Sequence, residues 1–241
     1  MPESPSRFAR IAARAGSFGA LLSLIGPGLA HFELVKPMAG FVALLLGALL
    51  ALVATVTGAI ALLSRVPASR DMAVRGFVPA LAVVVAIVIA ASRGRQYPRI
   101  NDITTDTAAA PEFRTAATLP DNLGRDLRYP GTSFAEQQRA GYPGLGPLRL
   151  DVPPSEAFAR VAAAAHAMPG WRITREDATQ RAIEGVDTTW LFRFQDDFVI
   201  EVREQNGHSI VHMRSKSRDG KGDIGANAKR IEAFFARLER K

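Results

Sequence analysis

Phe198-Val199-Ile200-Glu201-Val202-Arg203-Glu204-Gln205-Asn206-Gly207-His208-Ser209-Ile210-Val211-His212-Met213-Arg214-Ser215-Lys216-Ser217 decides the fold of the second half of the chain. Two alternating runs flank Asn-Gly, the pair a type I′ hairpin favours because both turn residues take positive φ. A two-residue loop sets the register. It predicts Gln205 opposite His208, Val202 opposite Val211 and Ile200 opposite Met213, with the apolar pairs on the core face. The other face pairs Arg203 with Ile210, Glu201 with His212, Val199 with Arg214 and Asp197 with Lys216. Glu201–His212 reads as an exposed cross-strand ion pair rather than an acid–base dyad.

Upstream, Ser155 is placed to cap a helix running to about Met168. Phe158, Val161, Ala162, Ala165 and Met168 form its apolar stripe, and Pro169-Gly170 stops it. His166 beside the stripe reads as packing or surface. Short strands are predicted at Trp171–Arg175 and Arg181–Gly185. Another is predicted where Trp190, Phe192 and Phe194 alternate with Leu191 and Arg193. Downstream, Asp223 is placed to cap a helix to about Glu239, with Ile224, Ile231, Phe234, Phe235 and Leu238 on one face. Residues 151–241 are therefore predicted as an α+β domain. It is a four- to five-stranded antiparallel meander packed by an N-terminal helix and a long C-terminal one.

Residues 96–150 are rich in Pro, Gly, Thr and Asp and show no clear period. They read as a connecting segment, either a spacer or a strap across the domain. Ser133-Phe134-Ala135-Glu136 resembles a capping box opening one short helix that Gly141 ends. Asn101-Asp102-Ile103-Thr104-Thr105-Asp106 clusters oxygen side chains, but it lacks the Gly turn and distant Glu of a calcium loop. Asx-turns account for it, and no metal or other cofactor is expected.

The chain has 241 residues, 48% of them hydrophobic, and the apolar ones crowd into the first hundred. Residues 1–95 are predicted as a membrane anchor with spans at about 15–33, 38–64 and 76–92. Met38–Ser64 is 27 residues without a charge, about 40 Å as a helix. Gly76–Ser92 is shorter, but its flanking arginines can snorkel. Ala15–Ala30, interrupted by Gly26-Pro27-Gly28, is the weakest span. Gly40, Ala43, Gly47 and Ala51 recur at close to four-residue spacing, which suits close helix approach.

The net charge of +7 is unevenly distributed. Residues 1–98 hold nine Lys/Arg against three acids, and residues 99–241 hold 21 against 20. The excess flanks apolar segments, a pattern of membrane topology and not of nucleic-acid binding. With three spans, six cations lie on the N-terminal side against four on the other, so the N-terminus is cytoplasmic and the domain extracytoplasmic. If the first segment stays out, the count is seven against three and the domain is cytoplasmic. Cleavage after Gly28-Leu29-Ala30 would again leave the domain outside. The absence of Cys excludes disulfides, thiolate catalysis and iron–sulfur clusters.

Arg214-Ser215-Lys216-Ser217-Arg218-Asp219-Gly220-Lys221-Gly222-Asp223-Ile224-Gly225-Ala226-Asn227-Ala228-Lys229-Arg230-Ile231 resembles the signature of bacterial domain-of-unknown-function family 1499. Phe194-Gln195-Asp196-Asp197-Phe198, Asn101–Asp106 and Tyr142-Pro143-Gly144-Leu145 resemble its other recurring blocks, so the similarity spans about 96–241. Asp219 departs from the pattern, standing where a small apolar residue is commoner. The resemblance extends to members with a three-span anchor, so it favours that reading over the bare charge count. It implies architecture and assigns no catalytic residue.

No Ser-His-Asp spacing, phosphate loop or HExxH motif is present. Asp196 and Asp197, adjacent on a strand, point to opposite faces and cannot share a proton. The expectation is a non-catalytic binding or scaffold module of the cell envelope, with membrane lipid and envelope proteins as partners. The alternative is a carrier or sensor of a lipid-like or anionic ligand. An apolar ligand would use the groove between the sheet and the last helix. An anion would use Arg214, Lys216, Arg218 and Lys221 with Asp197, Asp223 and Asn227 near that helix's N-terminus. Internal pairing competes with the anion reading, because the hairpin sets Asp197 opposite Lys216, and Asp219 and Asp223 lie close in sequence.

Overall fold

The structure is a computed structural model describing residues 4–240, and it divides into two compact units. The first comprises the chain to Gly94 together with Trp190–Arg193. It contains three helices, α1 (Arg7–His31), α2 (Pro37–Leu62) and α3 (Pro67–Gly94). All three are long and apolar enough to cross a membrane. Ser6 caps α1 by accepting from the Ala9 N–H at 3.2 Å. The helix runs unbroken through Gly26-Pro27-Gly28.

This unit inverts the soluble pattern. Its buried positions are small, among them Gly16, Gly19, Gly40, Gly47, Ala51 and Gly76. Leu24, Leu49, Val56 and Val88 face outward. A Cβ at Gly19 would sit 2.9 Å from the Gly47 carbonyl, and one at Gly26 would sit 2.8 Å from the Gly40 carbonyl. Contact through bare backbone is how helices associate where lipid removes the hydrophobic drive. Trp190–Arg193, predicted as strand, is instead loop and clusters with this unit. Arg193, at φ 62°, pairs with Glu33 at 2.8 Å, and Phe192 packs edge-on to Phe41. Alternation of aromatics alone did not make a strand there.

The second unit holds β1 (Asp102–Thr104), α4 (Thr132–Gly141), β2 (Leu148–Leu150), α5 (Pro154–His166), β3 (Trp171–Asp177), β4 (Ala182–Thr188), β5 (Gln195–Gln205), β6 (His208–Ser217) and α6 (Ala226–Glu239). The sheet order is β1-β6-β5-β4-β3, and β2 also pairs with β6. Every ladder is antiparallel. β3 to β6 form the predicted meander. The other two strands come from the connecting segment, which the sequence pattern left unstructured there.

The hairpin register is as predicted from Asp197↔Lys216 to Gln205↔His208. Asn206 and Gly207 sit at φ 52° and 77°. On the core face, Ile200, Val202, Val211 and Met213 pack with Phe158 and Val161 of α5 and with Ile231 and Phe234 of α6. Three local expectations fail. α5 starts at Pro154, with Pro153 and not Ser155 as its N-cap residue. α4 opens after Gly131 without a capping-box bond. Ile224 precedes α6 and is exposed. Gly207→Val should destabilise the 96–241 fragment by about 1–3 kcal/mol, since a β-branched residue resists positive φ. Urea unfolding followed by fluorescence would show this, and an unchanged midpoint would remove the turn from the account.

Candidate functional site

Residues 105–130 form a strap over the face of the sheet opposite α5 and α6. Phe113 and Ala116 are buried there against Val199 of β5, with Leu127 beside them. The fully buried Glu184 of β4 holds this strap as an anion does. It accepts from the backbone N–H groups of Arg114, Thr115 and Ala116 at 3.1, 3.0 and 2.9 Å. Arg175 adds an ion pair at 3.3 Å. The face on which Glu201–His212 was expected to stand exposed is therefore an interior.

Period two puts Arg214 and Lys216 of β6 on that covered face, with Arg218 just beyond the strand. Each is committed to a carboxylate. Arg214 grips Asp102 through Nε–Oδ1 and Nη2–Oδ2, both 2.8 Å, and donates to the carbonyls of Pro111 and Leu127. Its guanidinium lies over Phe113 at 4.7 Å and Tyr129 at 5.5 Å. Lys216 Nζ reaches Asp102 Oδ2 at 2.8 Å. Asp197 stands opposite Lys216 in register, as expected, but its ion partners are Arg218 at 2.7 Å and Arg125 at 3.4 Å. Asn122 donates a further bond to Asp197 at 3.0 Å. Burial alone would lower the pKa of Arg218, but Asp197 and then Asp121 raise it on balance.

The other face of the same strand serves α6. Ser215 Oγ donates to Asn227 Oδ1 at 2.8 Å and accepts from Arg230 Nη1 at 2.9 Å. Asn227 Nδ2 donates to Ser217 Oγ at 3.0 Å. Arg230 also pairs with Asp196 at 2.5 Å and Asp187 at 2.6 Å. Asp196 and Asp197 thus serve opposite faces. Gly225 and not Asp223 is the N-cap residue of α6, but Asp223 accepts from the N–H groups of Gly225 and Asn227, both at 2.9 Å, and so satisfies amides at the start of that helix. Burial raises its pKa against those bonds.

The seven residues singled out from sequence do not converge. Arg214, Lys216, Arg218 and Asp197 lie on the strap side, Asn227 and Asp223 on the α6 side, and Lys221 is exposed in the connecting turn. Neither Asp219, which is exposed, nor Asp223 neutralises the cationic stripe. Asp102 does, from a block read as turn residues. Asp106 in that block makes the expected Asx-turn to Ala108 and Ala109 at 3.0 and 2.9 Å.

Glu201 and His212 are cross-strand neighbours but not an ion pair, since Glu201 bonds Arg203 at 2.7 Å. His212 is buried, 3.7 Å from Asp106, and burial followed by Arg203 lowers its pKa. The groove under α6 is filled by Ile231 and Phe234, both fully buried. An open space lies at the strap, a cavity of about 840 Å³ whose lining includes Arg125, Arg128, Arg139 and Arg214. Sequence reasoning missed it because the strap carries no period.

A family model described as "Protein of unknown function (DUF1499)" matches residues 102–238, more than half of the chain. No curated protein and no solved structure matches it.

Proposed function

Because the chain belongs to the DUF1499 family, and because the matched region takes in strap, sheet and α6 alike, we propose that it is a non-catalytic binding or scaffold module held at a membrane. The observation that carries this reading is the commitment of the buried carboxylates. Asp102, Glu184, Asp196 and Asp197 each meet a cation in a fixed geometry. A general acid or base needs a group free to exchange its proton with substrate. Here the sheet's carboxylates act as bolts. The filled groove beneath α6 favours a scaffold over a carrier of apolar ligands at that place.

The proposed topology is three spans in the inner membrane, with the N-terminus cytoplasmic and the domain extracytoplasmic. It presents the domain to envelope proteins and lipid. Three helices long and apolar enough to span support it, as does the close packing of α1 against both α2 and α3 through glycine; with three spans, the six-to-four distribution of cations sets the orientation. Alkaline phosphatase fused after the last residue should be active, and a cytosolic fluorescent protein fused there should be dark. Bright fluorescence without phosphatase activity would place the domain in the cytoplasm and sink the topology.

A further inference from the structure

We propose that the cavity at the strap is a binding site for a phosphate ester carrying an apolar group, its phosphate held by Arg139 and Arg128 and its apolar part against Phe113 and Leu127. The proposal rests on the binding-module reading and adds to it a site and a ligand class. The volume, about 840 Å³, falls in the range of roughly 300–1,000 Å³ typical of small-molecule sites. The space is kept open by the composition of its walls. Ala108, Ala109, Ala110, Ala117 and Ala135 line it where larger apolar residues would have closed it. The roof is rigid. Asp106 fixes Ala108 and Ala109 by their N–H groups, while Arg203 bonds both Asp106 Oδ2 at 3.1 Å and the Ala109 carbonyl at 3.0 Å.

The charge of the lining selects an anion. Four arginines line the cavity against one acid, Glu112. Arg214 and Arg125 are already bound to Asp102 and Asp197, so they supply field and shape. Asp102 alone answers both Arg214 and Lys216, which leaves a positive charge in excess beside the cavity. Arg139 is exposed and, among the described residues, donates only to Thr107 Oγ1 at 3.0 Å, so most of its N–H groups remain available. Arg128 forks the exposed Asp126 through Nε–Oδ1 at 2.9 Å and Nη2–Oδ2 at 2.6 Å, so a phosphate competes with that carboxylate for the guanidinium.

A guanidinium fork matches a phosphate in two-point geometry. Tyr129, also in the lining, has a buried hydroxyl without a hydrogen-bond partner among the described residues. Burial holds its pKa up at about 12, so it stays a phenol and a donor. The hydroxyl oxygen has almost no accessible surface, so Tyr129 serves the cavity through its ring. Phe113, Leu127 and the alanine walls take the apolar portion of the ester.

The test is calorimetric titration of the whole detergent-solubilised protein with three probes: inorganic phosphate, phenyl phosphate, and short-chain phosphatidic acid below its micelle concentration. Phenyl phosphate or phosphatidic acid should bind saturably, one per chain and more tightly than inorganic phosphate. The tighter ester tells a soluble source from a lipid headgroup. Arg139→Gln should weaken binding about tenfold through loss of a charge-assisted contact, and Ala117→Trp should fill the space and abolish it. Both positions are exposed, so melting temperatures should hold. No saturable binding of either ester would overturn the proposal. So would inorganic phosphate binding as tightly as both, or binding that neither variant alters. The phosphatase reporter reads topology alone, so either reading can fail while the other stands.

Discussion

Replacing Asp102 with asparagine should destabilise the 96–241 fragment by about 3–5 kcal/mol, the usual cost of removing one partner from a buried ion pair. Asp102 is wholly buried and accepts from Arg214 at two points and from Lys216 at a third. Asparagine keeps the shape but removes the charge, leaving two cations to share the interior with none. Their repulsion acts in a poorly screened environment. The damage should concentrate in the strap, because Arg214 also gathers Pro111, Phe113, Leu127 and Tyr129 around itself. Proteolysis between residues 105 and 130 should therefore rise along with the fall in the urea midpoint. The exposed Asp219→Asn should change neither. A midpoint for Asp102→Asn that matches the parent protein would mean the carboxylate is not a structural partner of β6.

Gly76→Ala should disrupt the helical unit, although it adds a single methyl group. The new Cβ would fall on the backbone of α1 at Ala12 and Ala13, where no side chain can turn aside. Gly16 meets the Gly76 carbonyl from the other side in the same way. The helices must part, and overpacking of this kind costs about 1–3 kcal/mol, more where backbone rather than side chain is struck. Gly28→Ala is the matched control, because nothing lies within 4 Å of its added Cβ. Thermal stability of the detergent-solubilised protein should drop for the first substitution and hold for the second. Equal stability of the two would show that α1 and α3 do not touch at glycine.

The hairpin and the seven residue pairs named from its sequence were legible because Asn206-Gly207 sets the turn and period two does the rest. The face that packs on α5 and α6 was legible for the same reason. What covered the other face stayed open, since residues 96–150 read equally as a spacer or as a strap. Alternation says that Arg214, Lys216 and Glu201 share a side, but it is silent on whether that side meets water. The strap is fastened by contacts of long sequence separation, Arg214 with the carbonyls of Pro111 and Leu127 and Glu184 with the amides of Arg114 to Ala116. None of these leaves a local pattern. The Trp190–Phe194 alternation imitated a strand, and the positive φ of Arg193 has no sequence signature that distinguishes it.

The family-like stretch around Arg214–Arg230 was visible as a motif before its use was. In the fold its alternate residues stitch two layers to one strand. Arg214 and Lys216, with Arg218 beyond, go to Asp102 and Asp197 on the strap side, while Ser215 and Ser217 go to Asn227 on α6. Asp223 satisfies amides at the start of that helix rather than joining the stripe.

Native-state hydrogen exchange on the strap tests this account most directly. The amides of Arg114, Thr115 and Ala116, which donate to Glu184, should open with free energies within about 1–2 kcal/mol of the β5 and β6 amides, because one cooperative unit opens together. Exchange of those three amides at unprotected rates, while β5 and β6 stay closed, would show the strap to be a loose spacer and contradict the claim that the strand clamps a layer on each of its faces.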